Sequence, residues 1–134
     1  MALICFNKGA QEILTRALNK GATGDVKLCL YTSNTTLSET TAIADLTLAT
    51  WTGYGAITLT GASWAITDAD PSSASYAKQT FTSTAGSQNV NNYGYVVTNS
   101  AGTIALWGET FSDGPYNIAN NGDKIEVTPV FTLD

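Results

Sequence analysis

Alternation of apolar and polar residues dominates this chain, and it is clearest between Tyr93 and Leu133. There Tyr-Gly-Tyr-Val-Val-Thr leads into Asn99-Ser100-Ala101-Gly102 and then Thr-Ile-Ala-Leu-Trp-Gly-Glu-Thr-Phe. Two alternating runs around a turn ending in Gly predict a β-hairpin, because residues two apart share one face of a strand. Tyr93, Tyr95 and Val97 are expected on one face and Val96 on the other, with Ile104 and Leu106 opposite Ala105, Trp107 and Phe111. Lys124 to Leu133 predicts a third strand. Ile125, Val127, Phe131 and Leu133 keep one face of it provided Pro129, which lacks an N–H, sits at an edge or bulge. The polar stretch 112–123 reads as a loop anchored by Ile118.

The same pattern organises the rest. Residues 2–6 are a short apolar lead-in. After Asn7, a candidate N-cap, Ala10, Ile13, Leu14, Ala17 and Leu18 recur at helical spacing, and Asn19-Lys20-Gly21 supplies a basic last turn and a Gly stop. This predicts one long helix over about 8–20. Val26, Leu28 and Leu30 alternate with Lys27, Cys29 and Tyr31, predicting a strand with one core face. Residues 32–41 read as an exposed Ser/Thr/Asn loop and 42–48 as a short helix or turn. Runs 54–60 and 63–68 predict a hairpin across Gly61-Ala62, and 68–73 is a turn cluster. Run 76–83, with Tyr76 and Phe81 on opposite faces, predicts an edge strand.

Some seven or eight short strands with regular turns predict a mainly β fold, an antiparallel β-sandwich or jelly-roll-like barrel with one N-terminal α-helix. The helix would plug an open end or cover one sheet. The 134 residues fit a single domain, 1–134, with an arm and helix over 1–22 and a β body over 23–134. No fixed-period repeat or linker interrupts it.

Composition sharpens this in two ways. Charged residues are only 13%, against about 25% usually, and Thr, Ser, Asn and Gly take their place. Thr suits half-buried strands. A surface poor in Lys and Glu also suits contact with partners, and ordinary β-protein composition explains the bias equally well. The net charge of −5 argues against a nucleic-acid partner, which needs a basic face. The charge is uneven. Residues 1–32 carry Lys8, Arg16, Lys20 and Lys27 against Glu12 and Asp25, a balance of +2, while 33–134 carry Lys78 and Lys124 against nine acids, a balance of −7. An oligomer could dock one copy's N-terminal end on another's acidic body, and ordinary solvated charge is the plainer alternative.

No run reaches the roughly 18 apolar residues of a membrane span. The opening Met1-Ala-Leu-Ile-Cys-Phe lacks a signal peptide's basic start and cleavage site, so synthesis in a cytoplasm is expected. Cys5 and Cys29 are too far apart for a CxxC site and read as free thiols.

Chemical motifs are scarce. The chain has no His, which removes Ser-His-Asp and Cys-His arrangements, the commonest general base and the commonest metal ligand. Carboxylates remain: Asp68 and Asp70 in one turn, and Glu109, Asp113 and Asp123 around the closing hairpin. Glycosidase chemistry needs two facing carboxyls across a cleft. Calcium at Asp68/Asp70 is a second option, although the EF-hand pattern is missing. Trp51, Tyr54, Trp64, Tyr93, Tyr95 and Trp107 could line a sugar groove, or anchor the core with polar tips at its rim. Gly53, Gly55 and Gly94 read as β kinks, and no phosphate-loop motif occurs. No catalytic, cofactor-binding or metal-binding residue is assigned, and no cofactor is expected.

The order of elements carries a resemblance. Val26-Lys-Leu-Cys-Leu-Tyr-Thr-Ser-Asn34, Trp51-Thr-Gly-Tyr-Gly, Ser63-Trp-Ala, Tyr93-Gly-Tyr-Val-Val-Thr-Asn, Ala105-Leu-Trp-Gly-Glu-Thr-Phe, Asn121-Gly-Asp-Lys-Ile and Val127-Thr-Pro-Val-Phe-Thr-Leu follow in series. Over most of the chain this resembles small virion structural proteins of tailed bacteriophages. Asn89-Val90-Asn91-Asn92 departs from their pattern in lacking the usual Gly before the Gly-Tyr strand. The resemblance implies a non-enzymatic particle component, located in the virion after synthesis in the host cytoplasm. It would be a capsid decoration (cement) protein, or a neck, tail or fibre component, or a glycan- or receptor-binding module of the tail. The implied partners are other virion proteins, such as the major capsid protein, and further copies of this chain. Expected contact residues lie on the helix and polar loops: Lys8, Arg16, Lys20, Asn34, Thr36, Tyr116 and Asn117.

Overall fold

The structure, a computed structural model, describes residues 3–17 and 24–133. In chain order its elements are β1 (Ile4–Cys5), α1 (Asn7–Ala17), β2 (Val26–Tyr31), β3 (Ile57–Leu59), β4 (Ala65–Thr67), β5 (Ser72–Ser75), β6 (Gln79–Thr82), β7 (Val90–Asn92), β8 (Gly94–Thr98), β9 (Ala105–Thr110), β10 (Tyr116–Ile118), β11 (Lys124–Val127) and β12 (Val130–Leu133). The protein is mainly β, with antiparallel sheets and, among the described residues, one α-helix, as expected. The described residues form twelve short strands where seven or eight were expected, and they do not close into a barrel.

A five-stranded sheet in the order β1-β9-β8-β2-β3 is the centre. The β8–β9 hairpin expected from the sequence is present, joined by the turn at Asn99–Gly102. Its ladder slips between Val97 and Thr98: Val97 faces Trp107 and Thr98 faces Ala105, leaving Leu106 as an extra residue. Such a bulge turns side chains off strict alternation. Leu106 and Trp107 therefore enter the same core instead of opposite faces.

Both faces of the central sheet are covered. On one, Leu28, Leu30, Leu59, Tyr95, Val97, Leu106 and Trp107 meet Phe81, Ile118, Ile125 and Val127 from β6, β10 and β11. On the other, Cys29, Tyr31, Val96 and Ala105 meet Phe6, Leu37 and Leu46. Cys29 and Tyr31 were expected to face away from the core, and the 32–41 loop was expected to be exposed. Leu37 and Leu46 correct both expectations, because they make residues 33–48 a cover for the second face. The cover is braced: Ser33 Oγ accepts from Thr35 Oγ1 (2.9 Å) and Thr47 N (3.1 Å), and Asn7 N donates to the Glu39 carbonyl (2.8 Å). A 3-10 turn at Ile43–Asp45 matches the short helix or turn expected at 42–48. As the central strand of this sheet, β8 is buried at all five residues.

Several pairings differ from those expected. β3 joins the central sheet beside β2, whereas β4 pairs with β5, so 54–68 is not a hairpin. The 3-10 turn at Gly61–Ser63 lies between the two strands, and alternation alone does not reveal a strand's partner. Run 76–83 begins as a connection, and its strand is β6, paired with β11 alone. The strand ahead of it, β5, starts inside the expected turn cluster. Lys124–Leu133 splits around Pro129: β11 pairs with β6, and β12 with β5. Pro129 is fully buried and its carbonyl accepts from Tyr76 N (2.9 Å). β10 gives the 112–123 loop a strand, and Ile118 is its fully buried anchor, as expected.

The helix starts where expected, but with Phe6, not Asn7, as the residue whose carbonyl takes the first helical bond, from Ala10 N. Its buried face also differs. Ala10 and Leu14 are exposed, while Gly9 and Glu12 are buried. Gly9 sits directly on the β9 backbone: a Cβ there would lie 2.0 Å from the Leu106 carbonyl oxygen. Only a residue without a side chain permits that approach, and it turns the Gly9–Glu12 side inward and the Ala10–Leu14 row outward. Glu12 is neutralised in place by Arg16, whose Nε donates to Glu12 Oε1 (3.2 Å) while its NH1 donates to the Gly24 carbonyl (2.8 Å). The expected helix end, Leu18, Asn19, Lys20 and Gly21, lies outside the described residues.

Two buried indoles make a controlled comparison. Trp51 and Trp107 are equally buried, at 5% and 6% exposure. Trp51 Nε1 donates to Asn92 Oδ1 (3.0 Å), and the fully buried Asn92 passes its own N–H groups to the Val90 and Tyr116 carbonyls. Trp107 Nε1 has no partner. Trp→Phe removes similar volume at each site, but only at Trp51 does it orphan a buried amide oxygen. Trp51→Phe is therefore expected to cost about 1–3 kcal/mol more than Trp107→Phe in urea unfolding. Equal costs would show that the Trp51–Asn92 bond contributes nothing.

Candidate functional site

The expected contact residues do not gather at one place. Lys8 stands at the start of α1, exposed. Asn34 and Thr36 are exposed on the 33–48 cover, on the same side of the central sheet. Arg16 is engaged inside the chain through Glu12 and Gly24. Lys20 lies outside the described residues. Tyr116 and Asn117 belong to β10, in the layer against the opposite face. There Asn117 Nδ2 donates to Asn89 Oδ1 (3.0 Å) and Asn91 Oδ1 (2.9 Å), tying β10 to β7.

Two surface features have ligand-sized geometry. On the helix side is a hollow of 330 Å³ lined by Lys8, Ala42, Ile43, Thr103, Ile104 and Ala105. Three segments build it: the first turn of α1, the 3-10 turn, and the entry to β9. Its wall is mostly aliphatic, with the Lys8 ammonium at the margin, so it suits an apolar side chain from another protein with an acceptor beside it. Sequence reasoning found Lys8 but did not single out Ile43 and Ile104, which it read as part of the 42–48 helix or turn and of the second strand of the closing hairpin.

On the opposite side is a polar recess of 190 Å³ whose lining includes Tyr95, Glu109, Asp113, Tyr116 and Glu126. Three carboxylates share this cleft, which meets in outline the two-carboxyl condition for glycoside hydrolysis. Each already has a partner. Tyr95 Oη donates to Glu109 Oε2 (3.1 Å), Tyr116 Oη donates to Asp113 Oδ1, and Lys78 pairs with Glu126 (2.9 Å). Phe111 packs at a tilt against Tyr116 with ring centroids 4.7 Å apart. The arrangement offers hydrogen-bond acceptors beside an aromatic face. Asp68 and Asp70 lie in the exposed 68–71 connection. Among the described residues no three Cys, Asp or Glu side chains converge on a common point suited to a metal ion.

Of the six aromatics considered for a sugar groove, Trp51, Tyr54 and Trp64 lie in or against the core that holds Phe81, Ile118, Ile125 and Val127. Trp51 is buried, Tyr54 stacks on Phe81 at 5.6 Å and takes the Leu30 N–H on its hydroxyl (3.2 Å), and Trp64 packs edge-on to Trp107 at 6.2 Å. Tyr95, Leu106, Trp107, Val127 and Phe131 also pack in or against this core, as expected of scaffold residues.

Burial pushes the Tyr54 and Tyr95 hydroxyls well above the usual phenol range, with the neighbouring Glu109 charge adding to the effect at Tyr95. Tyr31 is raised by burial as well. A phenol raised in the folded state favours folding below its unfolded value of about 10 and loses that contribution as pH climbs further. Stability is thus expected to be flat with respect to these groups up to about pH 10 and to fall above it. Tyrosinate absorbance should show these three rings ionising only together with unfolding. Three free, reversible phenol titrations in the native state would contradict their burial.

Comparison with known protein families, curated proteins and solved structures finds no match to this chain. What the structure defines is a fold: mainly β and antiparallel, with one helix among the described residues and a braced loop cover.

Proposed function

We propose that this chain is a non-enzymatic structural protein of a tailed-bacteriophage particle, acting through protein contacts. Capsid decoration is the first reading, and a neck or tail position the second. The observation that carries it is the helix-side hollow: a preformed, mostly aliphatic dimple beside Lys8, on the same side of the central sheet as Asn34 and Thr36. A rigid surface loses little ordering entropy on binding, and repeated copies on a lattice multiply modest affinities. The two-sided packing of the central sheet is read here as a sandwich of unequal layers. The residues behind the phage resemblance are mostly scaffold, which fits a shared frame that holds variable contact loops.

The polar recess favours an alternative, a glycan- or receptor-binding module of the tail. Tyr116 and Phe111 would supply the stacking face and the carboxylates the acceptors. It replaces the core-packed Trp51, Tyr54 and Trp64 as the location for that role.

A pelleting assay separates the two readings. Purified protein is mixed with particles from a phage lacking this gene and then sedimented. Saturable co-sedimentation with heads, lost on Ile104→Asp and kept on Tyr116→Ala, is the expected result. Co-sedimentation with neither heads nor tails would reject the particle role.

A further inference from the structure

We propose that the helix-side hollow takes an aliphatic side chain of a different protein of the particle, and that the Lys8 ammonium pairs with a carboxylate carried beside that side chain. The inference rests on the particle reading and names the chemistry of the partner surface. Ile43 and Ile104, both half-buried, form the apolar part of the 330 Å³ hollow, with Ala42 and Ala105 completing the wall. The segments that carry them are held in place. Asp45 Oδ2 accepts the Ala42 N–H (2.8 Å), which fixes the 3-10 turn. Asn99 Oδ1 accepts the N–H groups of Thr103 (2.8 Å) and Ile104 (3.0 Å), which fixes the entry to β9. A hollow formed in advance costs little ordering entropy when a side chain enters it.

Charge defines the other half of the partner. Lys8 is the one charged residue in the lining, and no carboxylate lines it. Among the described residues Lys8 is in no ion pair, and its Nζ makes only a long bond to Gln11 Oε1 (3.4 Å). The acids of the neighbouring segments are engaged or directed elsewhere. Glu12, the next turn along α1, is buried on Arg16. Asp45 caps its own turn through the Ala42 N–H, and Glu39 lies toward Cys5, whose thiol is raised by burial and by the Glu39 charge. The first turn of α1 carries no acidic side chain, so nothing there offsets the positive end of the helix.

Seating a side chain in the hollow strips water from the ammonium at its margin. A partner with no acid at that point leaves a desolvated, unpaired charge, and a basic partner is repelled. The hollow therefore admits an aliphatic residue, and Lys8 selects those flanked by Asp or Glu. A two-fold contact between copies of this chain through the same hollow would set Lys8 against Lys8, which disfavours a self-complementary pairing. A purely apolar ligand would fill the wall and leave the ammonium without a counter-charge.

Carbodiimide cross-linking tests this, because the reagent joins an ammonium to a carboxylate in contact with it and leaves no spacer. Particles lacking this gene are loaded with the purified full chain, washed, treated with carbodiimide, digested and read by mass spectrometry. The expected product joins Lys8 Nζ to an Asp or Glu of a different virion protein, with Val, Ile or Leu within two positions of that acid. Lys8→Arg should bind particles as the wild type does, since it keeps the charge, and should lose the cross-link. Lys8→Glu, verified as folded by circular dichroism, should weaken binding about tenfold or more. Full-strength binding by Lys8→Glu overturns the proposal. So does a cross-link from Lys8 to a second copy of this chain, or to an acid with no aliphatic neighbour. A wild type that binds no particle overturns instead the particle reading on which the inference rests, so the two failures are seen separately.

Discussion

Replacing Gly94 with Ala is expected to destabilise the whole protein by about 3–5 kcal/mol, at the high end for one added methyl group. Gly94 opens β8, the central strand of the five-stranded sheet, and it is buried. A Cβ at this position would lie 2.3 Å from the Glu109 carbonyl oxygen and 2.5 Å from Tyr31 Oη. The Tyr31 hydroxyl is held by Thr110 Oγ1 (3.0 Å), and the Glu109 carbonyl belongs to the neighbouring strand β9. The carbonyl cannot withdraw without opening the ladder, and the hydroxyl cannot without giving up its bond to Thr110. Urea unfolding measures the loss. Adding Tyr31→Phe should not rescue the variant, since the carbonyl remains in the way. Wild-type stability in Gly94→Ala would mean the two strands are further apart than the structure has them.

The second large effect is expected at Gly9. Ala is the better helix former by about 1 kcal/mol, so propensity alone predicts a gain. The structure predicts the opposite sign, a loss of about 2–4 kcal/mol, because a Cβ at Gly9 meets the Leu106 oxygen at 2.0 Å and its Cα at 2.6 Å. The helix must lift, straining the Phe6 N to Leu106 carbonyl bond (3.0 Å) and loosening Phe6 over the second core. Cys29 lies in that core at 3% exposure, its thiol pushed up by burial and so slow to react. In a Cys5→Ser background, Gly9→Ala should raise the rate of Cys29 labelling by at least tenfold. Unchanged labelling together with raised stability would place the helix elsewhere.

These two glycines show what was legible in the sequence and what was not. The β8–β9 hairpin could be read because its partners are adjacent in the chain and its turn ends in Gly. The helix could be read from its period, but its buried face could not. Apolarity pointed to Ala10 and Leu14, while the contact is set by the absence of a side chain at Gly9. Strands β3 and β4 alternate as a hairpin would, yet their partners, β2 and β5, are chosen by tertiary packing. Leu37 looked like an isolated apolar residue in a polar loop and Leu46 like part of a short helix or turn, and only the uncovered second face of the sheet gives them a role. Lys8, Asn34 and Thr36 were legible as exposed polar positions. The polar recess was not, because Glu109, Asp113 and Glu126 come from separate stretches of chain that only folding brings together.

The central proposal is that the chain is part of a phage particle and acts through contacts with its neighbours there. Mass-spectrometric counting of its copies in purified heads and purified tails tests that most directly. The account predicts a fixed stoichiometry in one fraction, on the order of hundreds of copies per head for a decoration protein, as lattice symmetry requires. Absence from both fractions, with the protein left free in the lysate, would contradict it.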